Sequence, residues 1–149
     1  MMKKSNTLLA SLAMLAILFF ASCSKDNSVI PSSLTEPVTA TEVDLKKPSP
    51  GNYTISKFID TGDDETAQFN GYTFKFKFNG GLVATTANGQ VFNGSWSLNS
   101  AETIMTLNIS GTAALDDLDD DDWQVVKITN KVIKITKNGP DTVVFTKVL

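Results

Sequence analysis

From residue 50 onward, apolar and polar side chains alternate with a period of two. Tyr72, Phe74, Phe76 and Phe78 are interleaved with Thr73, Lys75, Lys77 and Asn79. That is the pattern of a strand with its aromatic face inward and its lysine face in water. Asn79-Gly80-Gly81 supplies the residues that accept positive φ in a tight hairpin turn, and residues 82–86 return. Asn88-Gly89 marks a second hairpin. Residues 91–98 follow, with Phe92, Trp96 and Leu98 on one face and Gly94 among them, where a glycine marks a bulge or close packing. In 103–111, Met105, Leu107 and Ile109 share a face. Residues 123–129 and 132–137 pair around Asn130-Lys131, with Ile133 and Ile135 opposite Lys134 and Thr136. After the breaker at 138–141, Val143, Phe145 and Leu149 line one side of the last strand. At the front, 53–59 reads as a strand with Tyr53 and Ile55 inward, and 60–70 as a polar loop. Between 112 and 122 a single helical turn fits, at Ala113, Ala114 and Leu115.

The pattern predicts an all-β domain of eight short strands, most joined by hairpins. Such a chain forms an antiparallel up-and-down barrel or a sandwich. Closure into a barrel removes the exposed edges of so apolar a sheet.

Ahead of this domain the pattern is different. Residues 1–22 read as a targeting segment: Lys3 and Lys4, an apolar run over 8–20 broken only by Ser11, then the small Ala21 and Ser22. The run is shorter than the ~20 residues a spanning helix needs. Phe20-Ala21-Ser22-Cys23 resembles the lipobox of bacterial lipoproteins. The resemblance implies that the Cys23 thiol receives a diacylglycerol, that the chain is cut before Cys23, and that the new amino group is acylated, with palmitate as the fatty acid. Phe20 departs from the family, which usually has Leu there. A single buried acyl chain holds a protein marginally and several hold it stably. Ser24, in place of the Asp that retains family members at the inner membrane, and the polar Ser24-Lys25-Asp26-Asn27 imply the outer membrane and leave the leaflet open. Residues 23–49 then carry Pro31, Pro37 and Pro48, many Ser and Thr, and no aromatic. This composition reads as a flexible stalk, on which Val29-Ile30 and Val43-x-Leu45 are the apolar positions able to dock locally. The domain proper is 50–149.

Composition narrows the chemistry. The chain has no histidine, its thirteen basic residues are all lysine, and Cys23 is its one cysteine. Ser-His-Asp and Cys-His nucleophile systems, histidine metal sites and arginine phosphate clamps are therefore excluded. No Ser-x-x-Lys motif occurs in the domain, and the expectation is a protein that is not an enzyme and has no cofactor beyond the lipid on Cys23. The net charge of −3 and the absence of a basic cluster argue against nucleic acid.

Several segments of the domain together resemble the small lipocalin-like domains of bacterial lipoproteins. They are Gly71-Tyr72-Thr73-Phe74-Lys75-Phe76, Asn79-Gly80-Gly81, Gly94-Ser95-Trp96-Ser97-Leu98, Thr106-Leu107, Trp123-Gln124-Val125-Val126-Lys127-Ile128 and Val144-Phe145-Thr146-Lys147-Val148. Tyr53 stands where the family commonly has an opening Trp. The resemblance implies an eight-stranded meander barrel and names no ligand.

Two clusters are candidates for function. Phe74, Phe76, Phe92, Trp96, Trp123 and Phe145 would line the pocket of a binding module for a small apolar ligand. The same aromatics would equally plug an eight-stranded barrel, which is just wide enough to be filled by its own side chains. The protein would then be a structural or interaction module meeting an envelope protein. Residues 116–122 hold six aspartates in seven positions. A calcium loop starting at Asp117 would place Asp119 and Asp121 correctly. It has Asp122 where the turn glycine belongs and Ile128 where the bidentate glutamate belongs. The alternative is a solvated acidic loop. Asp63-Asp64-Glu65 is a second acidic cluster. It would join the first in one negative rim if both loops lay at one barrel mouth.

Overall fold

The computed structural model describes residues 41–137 and 139–149. The leader and Cys23 lie outside the described residues. Residues Thr39–Leu149 form one compact unit, and its core residues all fall between Tyr53 and Phe145, so the unit contains its whole core.

The strands are β1 (Gly51–Asp60), β2 (Asp63–Asp64), β3 (Thr73–Phe76), β4 (Gly81–Thr85), β5 (Val91–Leu98), β6 (Ile104–Asn108), β7 (Asp120–Ile128), β8 (Val132–Thr136) and β9 (Thr142–Lys147). A 3-10 turn spans Thr66–Phe69 and a single α-turn, α1, spans Ala113–Asp116. Every pairing is antiparallel. From β3 to β9 each strand pairs with the next, and β9 returns to β1 from Tyr53↔Lys147 to Ile59↔Thr142. Eight strands thus close into the up-and-down barrel that the alternation predicts. β2 is a two-residue hook on the far end of β1.

The seam between β1 and β3 is short: they pair only over Gly51↔Phe76 to Tyr53↔Phe74. Beyond it, the 3-10 turn takes over the free edge of β1. The Phe58 N–H donates to Thr66 Oγ1 (2.8 Å), and the Glu65 N–H donates to the Phe58 carbonyl (3.0 Å). Phe69 fills the gap behind, edge-on to Phe58 at 5.0 Å. The polar segment 60–70 therefore carries a core residue.

Three other expectations change. Strand β3 ends at Phe76, because the Lys77 N–H donates to the Gly81 carbonyl and closes the turn (2.9 Å). Phe78, expected inward, is 87% exposed at the hairpin tip. Leu149 lies past the end of β9 and is fully exposed instead of facing in with Val143 and Phe145. Residues 41–49, stalk-like by composition, are held against the barrel. The Leu45 N–H donates to the Ile128 carbonyl (2.8 Å) and the Asn130 N–H to the Val43 carbonyl (3.0 Å). Glu42 pairs with Lys127 at 2.8 Å, Pro48 is buried, and Leu45 packs on the core. Backbone hydrogen bonds and two apolar side chains hold this strap where composition alone suggests solvation.

Three bulges interrupt the ladders: one lies between β6 and β7, where Met105 faces Trp123 but Leu107 faces Asp120, and two reset the inward face. In β1 the register shifts between Ile55 and Lys57, so the buried positions run Tyr53, Ile55, Phe58. In β7 it shifts between Val125 and Lys127, leaving Val126 exposed and bringing Ile128 in.

The meander gives the barrel two distinct ends. The strap 41–50 and the turns 77–80, 99–103 and 129–131 lie at one, here the proximal end. The segments 61–72, 86–90, 109–119 and 139–141 lie at the distal end.

Candidate functional site

The barrel interior is occupied by aromatic rings in mutual contact. Phe145 meets Phe74 and Phe76 edge-on, each at 5.3 Å. Tyr53 meets Phe76 at 5.3 Å, and Trp96 lies 6.1 Å from Phe76. Phe69 touches Phe74 at 6.0 Å and so continues the stack toward the seam. Such edge-to-face pairs are the favoured geometry of ring quadrupoles. Tyr53, Phe74, Phe76 and Phe145 are at most 1% exposed. Polar tips are satisfied: Trp96 Nε1–H donates to the Lys77 carbonyl and Trp123 Nε1–H to that of Leu118, both at 3.1 Å. Burial raises the Tyr53 hydroxyl pKa against the opposing effect of its hydrogen bond with Ser49. Of the six aromatics singled out in the sequence, five are core. Phe92 is half-buried at the rim, packed against Gly111.

The distal end gathers the acids. Gln68 Nε2 reaches both Glu65 Oε2 (3.3 Å) and Asp117 Oδ2 (3.4 Å), so the two acidic clusters share one mouth. Most of these carboxylates already serve the fold. Asp64 Oδ1 accepts from the Thr66 N–H and hydroxyl, which holds its pKa below the ordinary value. Asp116 Oδ1 accepts from the Gly111 N–H, and Asp141 Oδ1 from the Thr61 N–H. Asp120 and Asp122 both pair with Lys137. Asp117 caps the C-terminus of α1, Asp119 is exposed, and Asp121 falls within β7. Among the described residues no group of three acidic side chains converges as a metal ion requires.

The proximal end is apolar and basic. A cleft of about 440 Å³ lies between the strap and the barrel, lined by Leu45, Pro48, Pro50, Phe78 and Trp96, with Lys46, Lys47 and Glu102 at its edge. Lys147 is spent locally, donating to Ser49 Oγ at 2.9 Å beside the Tyr53 ring. Lys46, Lys47, Lys75 and Lys77 are exposed, and no carboxylate among the described residues pairs with them. Sequence reasoning missed this cleft because Phe78 continues the alternation of β3, and in the strap only Val43 and Leu45 stood out as able to dock.

The architecture defines a closed eight-stranded antiparallel meander barrel. No protein-family model and no curated protein matches the chain. Among solved structures it is similar to a DUF4847 family protein from Bacteroides vulgatus ATCC 8482. That similarity covers 65% of this chain and 92% of the other, at 15% identity and a TM-score of 0.46.

Proposed function

We propose that this protein is a non-enzymatic lipoprotein, anchored in the outer membrane by acyl chains on Cys23, whose filled barrel is a structural or interaction module of the cell envelope. The observation that carries the reading is the ring stack of Tyr53, Phe74, Phe76 and Phe145, which occupies the axis where a lipocalin-like carrier would hold its ligand. The leader and the Phe20-Ala21-Ser22-Cys23 motif support the anchor. The lack of histidine and arginine supports a role without catalysis. A small apolar ligand remains a second reading, moved from the axis to the proximal cleft, whose volume lies in the range of small-molecule sites.

Each half has its own test. In cells fed radioactive palmitate, the wild-type protein should be labelled and Cys23→Ser should be neither labelled nor cleaved. Continued labelling of the variant refutes the anchor. For the filled barrel, Phe76→Ala should lower unfolding free energy in urea by about 3–5 kcal/mol. A loss below about 1 kcal/mol would mean that Phe76 lines a space and does not fill one.

A further inference from the structure

The exposed apolar side chains are unevenly placed. Of the six exposed large apolar side chains among the described residues, Phe78, Val43, Val148 and Leu149 belong to the proximal end, Val126 lies on the wall in β7, and Val91 opens β5 at the distal end. Val43 is tied to the turn at Asn130, and the Val148 N–H donates to the Asn52 carbonyl beside the start of β1 (2.8 Å). Around them stand Lys46, Lys47, Lys75 and Lys77, with no ion pair among the described residues, outnumbering the carboxylates of Asp44 and Glu102 at this end, while Glu42 is neutralised by Lys127. The acids of 60–65 and 116–122 are at the opposite mouth, linked through Gln68. Thr41, at the start of the described strap, is held at the proximal end, where the Asn130 side-chain amide donates to its carbonyl (3.0 Å).

We infer that the proximal end docks on an anionic phospholipid surface, with Phe78 inserted at the headgroup level and Lys46, Lys47, Lys75 and Lys77 against the phosphates. Phe78 sits on a closed two-strand tip, so little backbone order is lost on insertion. Its neighbours are long-stemmed lysines, which keep their charge in the headgroup layer while their stems cover apolar surface. The proximal cleft then faces the lipid. The distal acids do not oppose this. An eight-residue strand such as β5 spans about 26 Å, or about 20 Å along the axis of a tilted barrel. That is about two Debye lengths at ~0.1 M salt.

This inference deepens the proposed envelope role but does not require the lipid on Cys23, and the test separates them. The unlipidated chain 24–149 contains the entire core and is mixed with vesicles of phosphatidylcholine alone, or of phosphatidylcholine with phosphatidylglycerol, then floated on a gradient. Wild type should float with the mixed vesicles only, and binding should vanish at ~1 M salt. Phe78→Ser should weaken the partition about tenfold or more. Lys46→Gln and Lys77→Gln should each weaken it about fivefold. Lys57→Gln, on a lysine of β1 toward the distal end beside Asp64, should leave it unchanged. All variants should keep the wild-type circular dichroism spectrum, since none of these side chains is in the core. Absence of flotation, equal flotation with both vesicle types, or equal loss in the Lys57→Gln control overturns the inference. None of those results bears on palmitate labelling at Cys23, and a failure of labelling leaves the vesicle result standing.

Discussion

Gly94 shows how much a single residue can be asked to do in a barrel this small. A Cβ at this position would lie 2.2 Å from the Asn108 carbonyl oxygen and 2.8 Å from Ile109 Cβ. The first of these is backbone, so it cannot swing aside, and the β5–β6 wall has to move. Gly94→Ala should therefore cost about 1–3 kcal/mol, the range for overpacking, read as a fall in the urea midpoint with unchanged slope. An alanine variant as stable as wild type would mean that the two strands do not approach this closely. The glycine was legible in the sequence as a point of close packing, because it interrupts an inward face of Phe92, Trp96 and Leu98. Phe78 was misleading for the opposite reason. Alternation is a property of side chains, whereas the strand is ended by the backbone bond from Lys77 to Gly81. The polar-apolar pattern runs on past the point where the sheet stops.

At the scale of elements, the eight strands were legible because nearly every one has an apolar face and a Gly or Asn turn beside it. The bulges in β1 and β7 were not legible. Ser56 and Val126 are ordinary strand residues, and only the partner strand reveals that one residue is left over. The strap was legible only at Val43 and Leu45: the backbone bonds of these two residues and the side-chain bonds made by Asn130, Tyr53 and Lys147 depend on residues outside the strap and leave no mark on its composition. One side-chain pair in it carries a pH signature. The hydrogen bond to Lys127, aided by Thr129, lowers the Glu42 pKa, and the same hydrogen bond raises that of Lys127. A lowered carboxyl pKa contributes stability above the unfolded value and loses it as pH falls through the folded one. A raised lysine pKa contributes below its ordinary value and loses it as pH rises through the raised one. Strap protection should thus be flat through neutral pH and fall at both extremes. The pair is exposed, so the change is modest. Hydrogen exchange at the Leu45 amide, corrected for intrinsic rate and compared with Ile133, should quicken by a factor of a few in acid. Glu42→Gln should abolish that acid limb. An acid response of equal size in the variant would place the switch elsewhere.

At the scale of the whole molecule, the barrel separates its chemistry along its axis. Aromatics fill the middle, most of the described acids ring the distal mouth, and apolar groups and lysines without an ion pair among the described residues outnumber the acids Asp44 and Glu102 at the proximal end. The aromatic cluster could be read from the sequence as a cluster. Whether it was a lining or a plug could not, because that depends on barrel radius and ring packing, which only the closed sheet sets. Likewise, the joining of the two acidic loops rests on the contact from Gln68 to Asp117 across the mouth, a relation between residues far apart in the chain.

The central claim is that the interior is its own ligand. Native mass spectrometry on the chain 24–149, produced in a bacterial periplasm, isolated gently and then incubated with a lipid extract, tests this most directly. The filled barrel predicts the bare polypeptide mass for Phe78→Ser, and any adduct on wild type that this substitution removes is assigned to the proximal cleft. A reproducible adduct of small-molecule size that survives Phe78→Ser, and is lost on replacing Phe76 or Phe145, would contradict it and make this barrel a carrier.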